Sequence, residues 1–415
     1  MPPKPIRFKT HSRCQISSRV GDIRTLRVPR AWRQTAVLAG LGFATQGAIA
    51  GDTFLTHYIA GVPYAGPEAY TPGITLYGVV DEAIAYTKGA HTAFAALSSG
   101  EWTSKIGMYG AENLGDGYTV RFALEGGFNS TNGSLPSGQT LFNREAWVAI
   151  GSRRTGELKF GLQDDISIPL LTDVFGGVAS DSSFAYLIGW AADLGPGASF
   201  EPGRTPNTLS YTSPWLGPLN AQIGVSFSNS GGDTAPQVAT RAAAINYYDG
   251  HLFVTGSYWG NYGPNPLDAS YVRTDNFAIG GFYDAKNFVI AAGYSFLAPR
   301  LAGNRVASTY TAGCLYKYLG RNDFRAQISY RTVNGVGDRS FGLTLGYDYD
   351  LSKMTALYVR GSLIRNVGAA PEYPGYKGSS QPILGSISDT YIGAEGVPET
   401  YKSPHMVLVG FYHKF

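Results

Sequence analysis

A period of two governs the chain from about residue 74 to its last residue, Phe415. In SFGLTLGYDYD, Phe341, Leu343, Leu345, Tyr347 and Tyr349 share one face, and Ser340, Gly342, Thr344, Gly346 and Asp348 share the other. DFRAQISYR sets Phe324, Ala326, Ile328 and Tyr330 against Arg325, Gln327, Ser329 and Arg331. LNAQIGVSF repeats the scheme, with Leu219, Ile223 and Phe227 opposed to Asn220, Gln222 and Ser226. Such alternation predicts strands with one apolar face. Sixteen segments carry it: 74–86, 104–112, 118–128, 143–151, 156–163, 205–213, 218–228, 239–248, 250–259, 273–283, 287–297, 308–318, 323–332, 339–350, 354–365 and 405–415. Their lengths centre on the ~9–11 residues with which a tilted strand crosses a bilayer.

The connections alternate as well. Short turns such as ENLGDG, SRRTGE, SPWLG, YDGH, YDAK, YLGRN and DYDLSK are interleaved with mostly longer links at 87–103, 129–142, 164–204, 229–238, 260–272, 298–307, 333–338 and 366–404. Short turns at one end and long loops at the other are the layout of an outer-membrane barrel. The expected fold is therefore all-β, a 16-stranded antiparallel transmembrane β-barrel, which must close because an open edge cannot face lipid. HMVLVGFYHKF is then the closing strand, paired with GITLYGVVDEAIAY, with Phe411 and Phe415 on one face and the terminal ring in the interfacial belt. No run of about 18 apolar residues exists, so no helical span is expected.

Composition adds a boundary. Nine of the 33 Lys and Arg fall in residues 1–50 beside one acid, Asp22; the remaining 24 basic and 29 acidic residues give a net of −5. Basic charge thus belongs to the N-terminus, and nucleic acid is not an expected partner. There a basic stretch ends at Arg33, and TAVLAGLGFATQGAIA supplies an apolar core and the small-residue site Ala48-Ile49-Ala50. Residues 1–50 read as a secretory signal peptide with an over-long start, 51–72 as an extension of unassigned role, and 73–415 as the barrel. Cleavage after Ala50 would remove Cys14 and leave Cys314 alone on an apolar face, with no internal disulfide.

At this point the residues resemble a known family, the general porins of Gram-negative outer membranes, in the branch found in β-proteobacteria. ITLYGVVDEAIAY resembles that family's first strand, SKIGMYGAENLGDGY its second strand and turn, LFNREAWVAIG its fourth strand, and RTPNTLSYTSP the segment after its third long loop. The likeness covers about residues 73–415. It implies a homotrimer of water-filled barrels embedded in outer-membrane lipid, with the closing aromatic read by the assembly machinery. It also implies a third loop folded inward, here 164–204, whose DVFGGVASDSSF offers Asp173 and Asp181 as the acidic side of a constriction. Facing them the family sets basic wall groups, for which strand parity nominates Lys105, Arg121 and Arg144. Charge costs little inside an aqueous lumen and about 2–4 kcal/mol on the lipid face near the midplane.

Two departures stand out. Where the family often has an arginine after its fifth strand, FGLQDD puts Leu162, followed by Asp164 and Asp165, and Glu82 falls on the lipid-side row of the first strand. The six histidines, at 11, 57, 91, 251, 405 and 413, lack metal spacing, and HExxH, GxSxG and GxxxxGK patterns are missing. No catalytic residue, metal or cofactor is expected. The expected function is a channel for passive diffusion of small hydrophilic solutes and ions. Alternatives are a sugar- or anion-selective channel, which would need an aromatic stripe in the lumen that parity does not supply, and a non-conducting structural or adhesin barrel plugged by 51–72.

Overall fold

A computed structural model describes residues 71–89, 92–135, 140–164, 166, 173–175, 182–200, 203–228, 236–268, 270–303, 305–335, 337–368 and 403–415. Ala48, Ala50, Asp165, Asp181 and positions 51–70 of the extension lie outside them. Seventeen strands are present among the described residues: β1 (Gly73–Lys88), β2 (Thr92–Ser98), β3 (Lys105–Gly115), β4 (Tyr118–Gly127), β5 (Glu145–Ser152), β6 (Gly156–Asp164), β7 (Arg204–Thr212), β8 (Leu219–Phe227) and β9 (Val238–Tyr248), with eight more after these. Those are β10 (Leu252–Pro264), β11 (Tyr271–Asp284), β12 (Phe288–Pro299), β13 (Ala307–Tyr318), β14 (Asn322–Val333), β15 (Arg339–Ser352), β16 (Thr355–Val367) and β17 (His405–Lys414).

All strands but β2 form a closed antiparallel ring of sixteen, as the alternation predicts. From β3 onward each pairs with its neighbour in sequence. The seam is made by β1, whose Gly73–Val79 half pairs with β3 and whose Val79–Lys88 half pairs with β17. Phe415 completes it: its N–H donates to the Gly78 carbonyl and its carbonyl accepts from the Gly78 N–H, each at 3.0 Å.

Strand β2 departs from the expectation, which left 92–98 inside a link. It pairs with Glu82–Lys88 of β1, on the edge that β3 leaves open. The chain then turns inward. The carboxylate of Asp81 accepts from the N–H groups of Gly100, Glu101 and Trp102 at 3.1, 2.9 and 2.6 Å. TAFAALS is too short, and too rich in alanine, for its alternation to stand out.

The outer face is apolar between aromatic girdles. One girdle runs Tyr258–Phe277–Phe296 with centroid spacings of 4.8 and 5.0 Å, continuing through Tyr294, Tyr310 and Tyr330. The other joins Phe288, Tyr316, Phe324 and Tyr347. Exposed Ile279, Ile290, Ile328 and Leu345 lie between them, as in a lipid-facing band with an aromatic row at each interface. Cys314 lies in this outward row, and Glu82 faces outward half-buried with its register unbroken.

Candidate pore constriction

The link 164–204 leaves β6 and returns to β7, yet Val174, Ser183 and Asp193 are bonded to β14 and β15, half a turn of the ring away, and Ser199 and Phe200 lie against β10 and β11 on the way back. It therefore crosses the lumen. Its short helix α1 (Ser183–Gly189) and the 3-10 turn Ala192–Leu194 lie within that crossing.

Side chains on the far wall fasten it. Val174 donates its N–H to the Gln327 side chain at 3.0 Å, and its carbonyl accepts from Arg325 at 2.7 Å. Ser183 meets Thr344 through its backbone N–H at 3.1 Å and its hydroxyl at 2.8 Å. Further along, Arg331 holds both carboxylate oxygens of Asp193 and donates to the Trp190 carbonyl at 2.8 Å. The wall is cut back to admit the loop. A Cβ at Gly342 would come within 2.8 Å of Ser183, and one at Gly346 within 2.7 Å of the Phe175 ring.

Asp173 is fully buried in this crossing. One carboxylate oxygen accepts from the Phe175 N–H at 2.8 Å and the other from the Ser182 hydroxyl. Those bonds brace the loop internally.

The three nominated wall cations all reach the lumen side, and each meets a carboxylate on its own wall. Lys105 lies 3.0 Å and Arg144 2.5 Å from Glu125, which also accepts from the Tyr77 hydroxyl at 2.9 Å. Arg121 donates through Nε to Glu157 at 2.7 Å. Arg144 arrives by a different route from parity. It precedes β5, whose inward row is Glu145, Trp147 and Ala149, and it bends in because its own N–H is tied to the Glu125 carbonyl at 3.1 Å.

A second cluster, on β14–β16, was not nominated from the sequence. Asp348 accepts from Arg325 at 2.8 Å and Arg360 at 2.6 Å, while Glu101 folds in to take Arg360 Nε at 2.9 Å. The inward parity of Arg325 and Arg360 was legible, as was that of Glu125 two turns of the alternation after Arg121. Glu101 carried no signal, because only the Asp81 turn brings it inward. Lys159 also faces in, with its ammonium 4.4 Å above the Trp147 ring. Leu162, at the family's arginine position, belongs to the outward row of β6.

No aromatic stripe is expected in the lumen, yet several aromatic side chains do point inward. Tyr77, Tyr109 and Trp147 form one inward cluster, and Trp102, Tyr358 and Tyr412 belong to another. They point in because their polar ends serve lumen carboxylates: Tyr77 donates to Glu125 and Tyr358 to Asp81. Being buried, they offer ring edges to these clusters and no open stacking surface. No group of three or more metal-ligating side chains occurs among the described residues.

The chain is similar to known proteins. An outer membrane porin of Bordetella pertussis is 28% identical over 363 residues, spanning 73% of this chain and 91% of its own. Outer membrane porin protein 32 of Delftia acidovorans is 27% identical over 317 residues, spanning 72% of this chain and 85% of its own. The solved anion-selective porin from Comamonas acidovorans superposes with a TM-score of 0.68 at 22% identity, covering 83% of this chain and 99% of that one, which shows the shared fold. Residues 35–369 match the family model described as Gram-negative porin, and with its closed sixteen-strand ring and inward loop the chain belongs to that family.

Proposed function

We propose that this outer-membrane channel for passive diffusion discriminates little by charge. One observation carries the reading: the wall cations Lys105, Arg121 and Arg144 each lie 2.5–3.0 Å from Glu125 or Glu157, and buried Glu145, opposite Glu125 in the sheet, brings the carboxylates on this wall to three. A strong transverse field needs acids and bases held apart across the aqueous gap. In this reading Asp173 fastens the loop, and the loop's contribution to the field falls to Asp181. Lys159, without a carboxylate partner among the described residues, is the observation that favours a residual preference for anions.

The same reading includes a homotrimer. It is supported by a solved Vibrio cholerae relative described as a trimer form and by Glu82, a carboxylate on the outward face where a neighbouring subunit could pair it. Strand β17 with its terminal Phe415 is the segment assigned to recognition by the assembly machinery. The test is single-channel current in a planar bilayer under a KCl gradient. Steps closing in threes with a reversal potential near zero are expected; a potential approaching the limit for either ion alone overturns the charge-neutral reading.

A further inference from the structure

The outward face of β7–β12 departs from the plain lipid-facing pattern. Two adjoining grooves of about 490 and 480 Å3 open on it. Ala243 and Tyr258 line both, with Gly256 and Ile279 in the first and Leu209 and Ile223 in the second. The grooves exist because small residues break the apolar relief. A Cβ at Gly256 would touch nothing within 4 Å.

Directly above them, towards the long loops, lies a cluster of guanidinium groups. Arg241, Gly260, Asp275 and Ala298 stand side by side across β9–β12. This row is two residues beyond the Tyr258–Phe277–Phe296 girdle, about 7 Å along the strands. Asp275 accepts from Arg273 at 2.9 Å, from Arg300 at 2.8 Å and from the Tyr258 hydroxyl at 2.7 Å. Tyr258, Asp275 and Arg273 lie over the bare face of Gly260, where a Cβ would come 2.7 Å from the Tyr258 oxygen and 3.0 Å from Asp275. Arg241 is exposed and has no ion-pair partner among the described residues, and Arg300 is 62% exposed. Two arginines, Arg273 and Arg300, thus share one carboxylate and Arg241 beside them has none, which leaves guanidinium donors over on the membrane side of the barrel wall. Asp268, in the loop above, is occupied by Ser270.

We infer that this face is a binding site for a phosphorylated, multi-chain lipid of the outer leaflet, with its phosphate on Arg241, Arg273 and Arg300 and its acyl chains in the two grooves. The long-loop end of such a barrel faces the outside, so the arginines lie at the level of the outer headgroups. Guanidinium is the side chain suited to planar, paired recognition of phosphate oxygens. The order of features along the wall, basic cluster, then aromatic girdle, then apolar groove, matches the order of headgroup, interface and chains in such a lipid. The inference rests on the outer-membrane placement of the barrel, and not on its selectivity.

The test is native mass spectrometry of the purified full-length protein titrated in detergent with bis-phosphorylated lipid A. The site predicts specific retention that falls at least tenfold in the variant R241Q/R273Q/R300Q, is weak for dephosphorylated lipid A, and is not displaced by inorganic phosphate. The double variant R339Q/R365Q, which removes exposed outward arginines on β15 and β16, should retain the lipid as the parent does. Gly256→Leu, at a position where a Cβ meets nothing within 4 Å, projects into the groove and should weaken retention with the arginines intact. Single-channel conductance and heat-resistant migration in gels confirm that each variant is a folded barrel. If the triple variant does not fold, Arg241→Gln and Gly256→Leu decide the matter. Equal retention by the triple variant, or by Arg241→Gln and Gly256→Leu together, overturns the site, as does an equal loss in R339Q/R365Q. Cross-linking of this face to a second copy of the chain would also overturn it.

Discussion

Arg331 grips both carboxylate oxygens of Asp193, at 2.5 and 2.7 Å, across 138 residues of sequence. The pair is almost fully buried and is the far anchor of the loop that crosses the lumen. Removing one member of a buried pair leaves an uncompensated charge, which typically costs about 3–5 kcal/mol. Here that penalty falls on docking of the loop, since β14 keeps its ladder. Arg331→Ala is expected to give noisier open-channel current and faster proteolysis within 164–204, with the barrel still resistant to heat in gels. Quiet current and an intact loop would show that the bonds at Val174, Ser183 and Ser199 hold it without the ion pair.

Asp338, in the link between β14 and β15, couples the same anchor to pH. Burial and the nearby Asp193 carboxylate push it up to about 6, against the pull of Arg331 and Arg305. Neither of its oxygens has a hydrogen-bond partner among the described residues. A carboxyl raised above its usual value of 3.8 binds its proton more tightly in the folded state. Its stabilising effect is therefore present in acid and is lost as pH rises through about 6, changing the docking equilibrium by up to about tenfold per pH unit. Loop proteolysis should slow as the medium is taken from pH 7 to 5, and Asp338→Asn should flatten that dependence. An unchanged slope in the variant assigns it to another group.

Selectivity should respond most to Glu125, since Glu125→Gln strands two cations, Lys105 and Arg144, at once. A unit charge acts on an ion about 10 Å away in water with about 0.4 kcal/mol, or about twofold in permeability ratio. Glu125→Gln is expected to move the reversal potential towards anions by that amount, and replacing Lys105, Arg121 or Arg144 by Gln towards cations. Asp173→Asn should move it less, because its carboxylate is spent on Phe175 and Ser182. A larger shift from Asp173 than from Glu125 would return the selectivity to the loop.

The ring was legible because a strand's period of two is written in every segment, as SFGLTLGYDYD shows, and because turn and loop lengths alternate. Parity also told inside from outside for Lys105 and Arg121. It could not tell what each meets there. The pairing of Lys105 with Glu125 depends on the register of β3 against β4, and that of Arg360 with Glu101 on a turn whose cause is the Asp81 carboxylate. Arg144 shows the same limit from the other side, since it reaches the lumen by a bend just outside the strand. The aromatic lumen residues were missed because a tyrosine on a strand reads as lipid-facing until its hydroxyl has a partner.

Closure of the barrel offers the sharpest structural test. Phe415 lays its ring over Gly78, where an added Cβ would come 2.3 Å from the ring and 2.7 Å from the Lys105 carbonyl. An aromatic covering a strand glycine compensates for the side chain the glycine lacks. Gly78→Ala must displace the ring and press on the β1–β3 seam, whereas Phe415→Ala removes the ring but keeps the paired backbone bonds between the two positions. Each variant alone is expected to lower the temperature at which the folded band is lost in gels. Combining them should cost less than the two losses added, since the ring clash is gone while the carbonyl contact remains. Additive losses would mean that ring and glycine do not act on each other, and that the closing aromatic serves only the machinery that inserts the barrel.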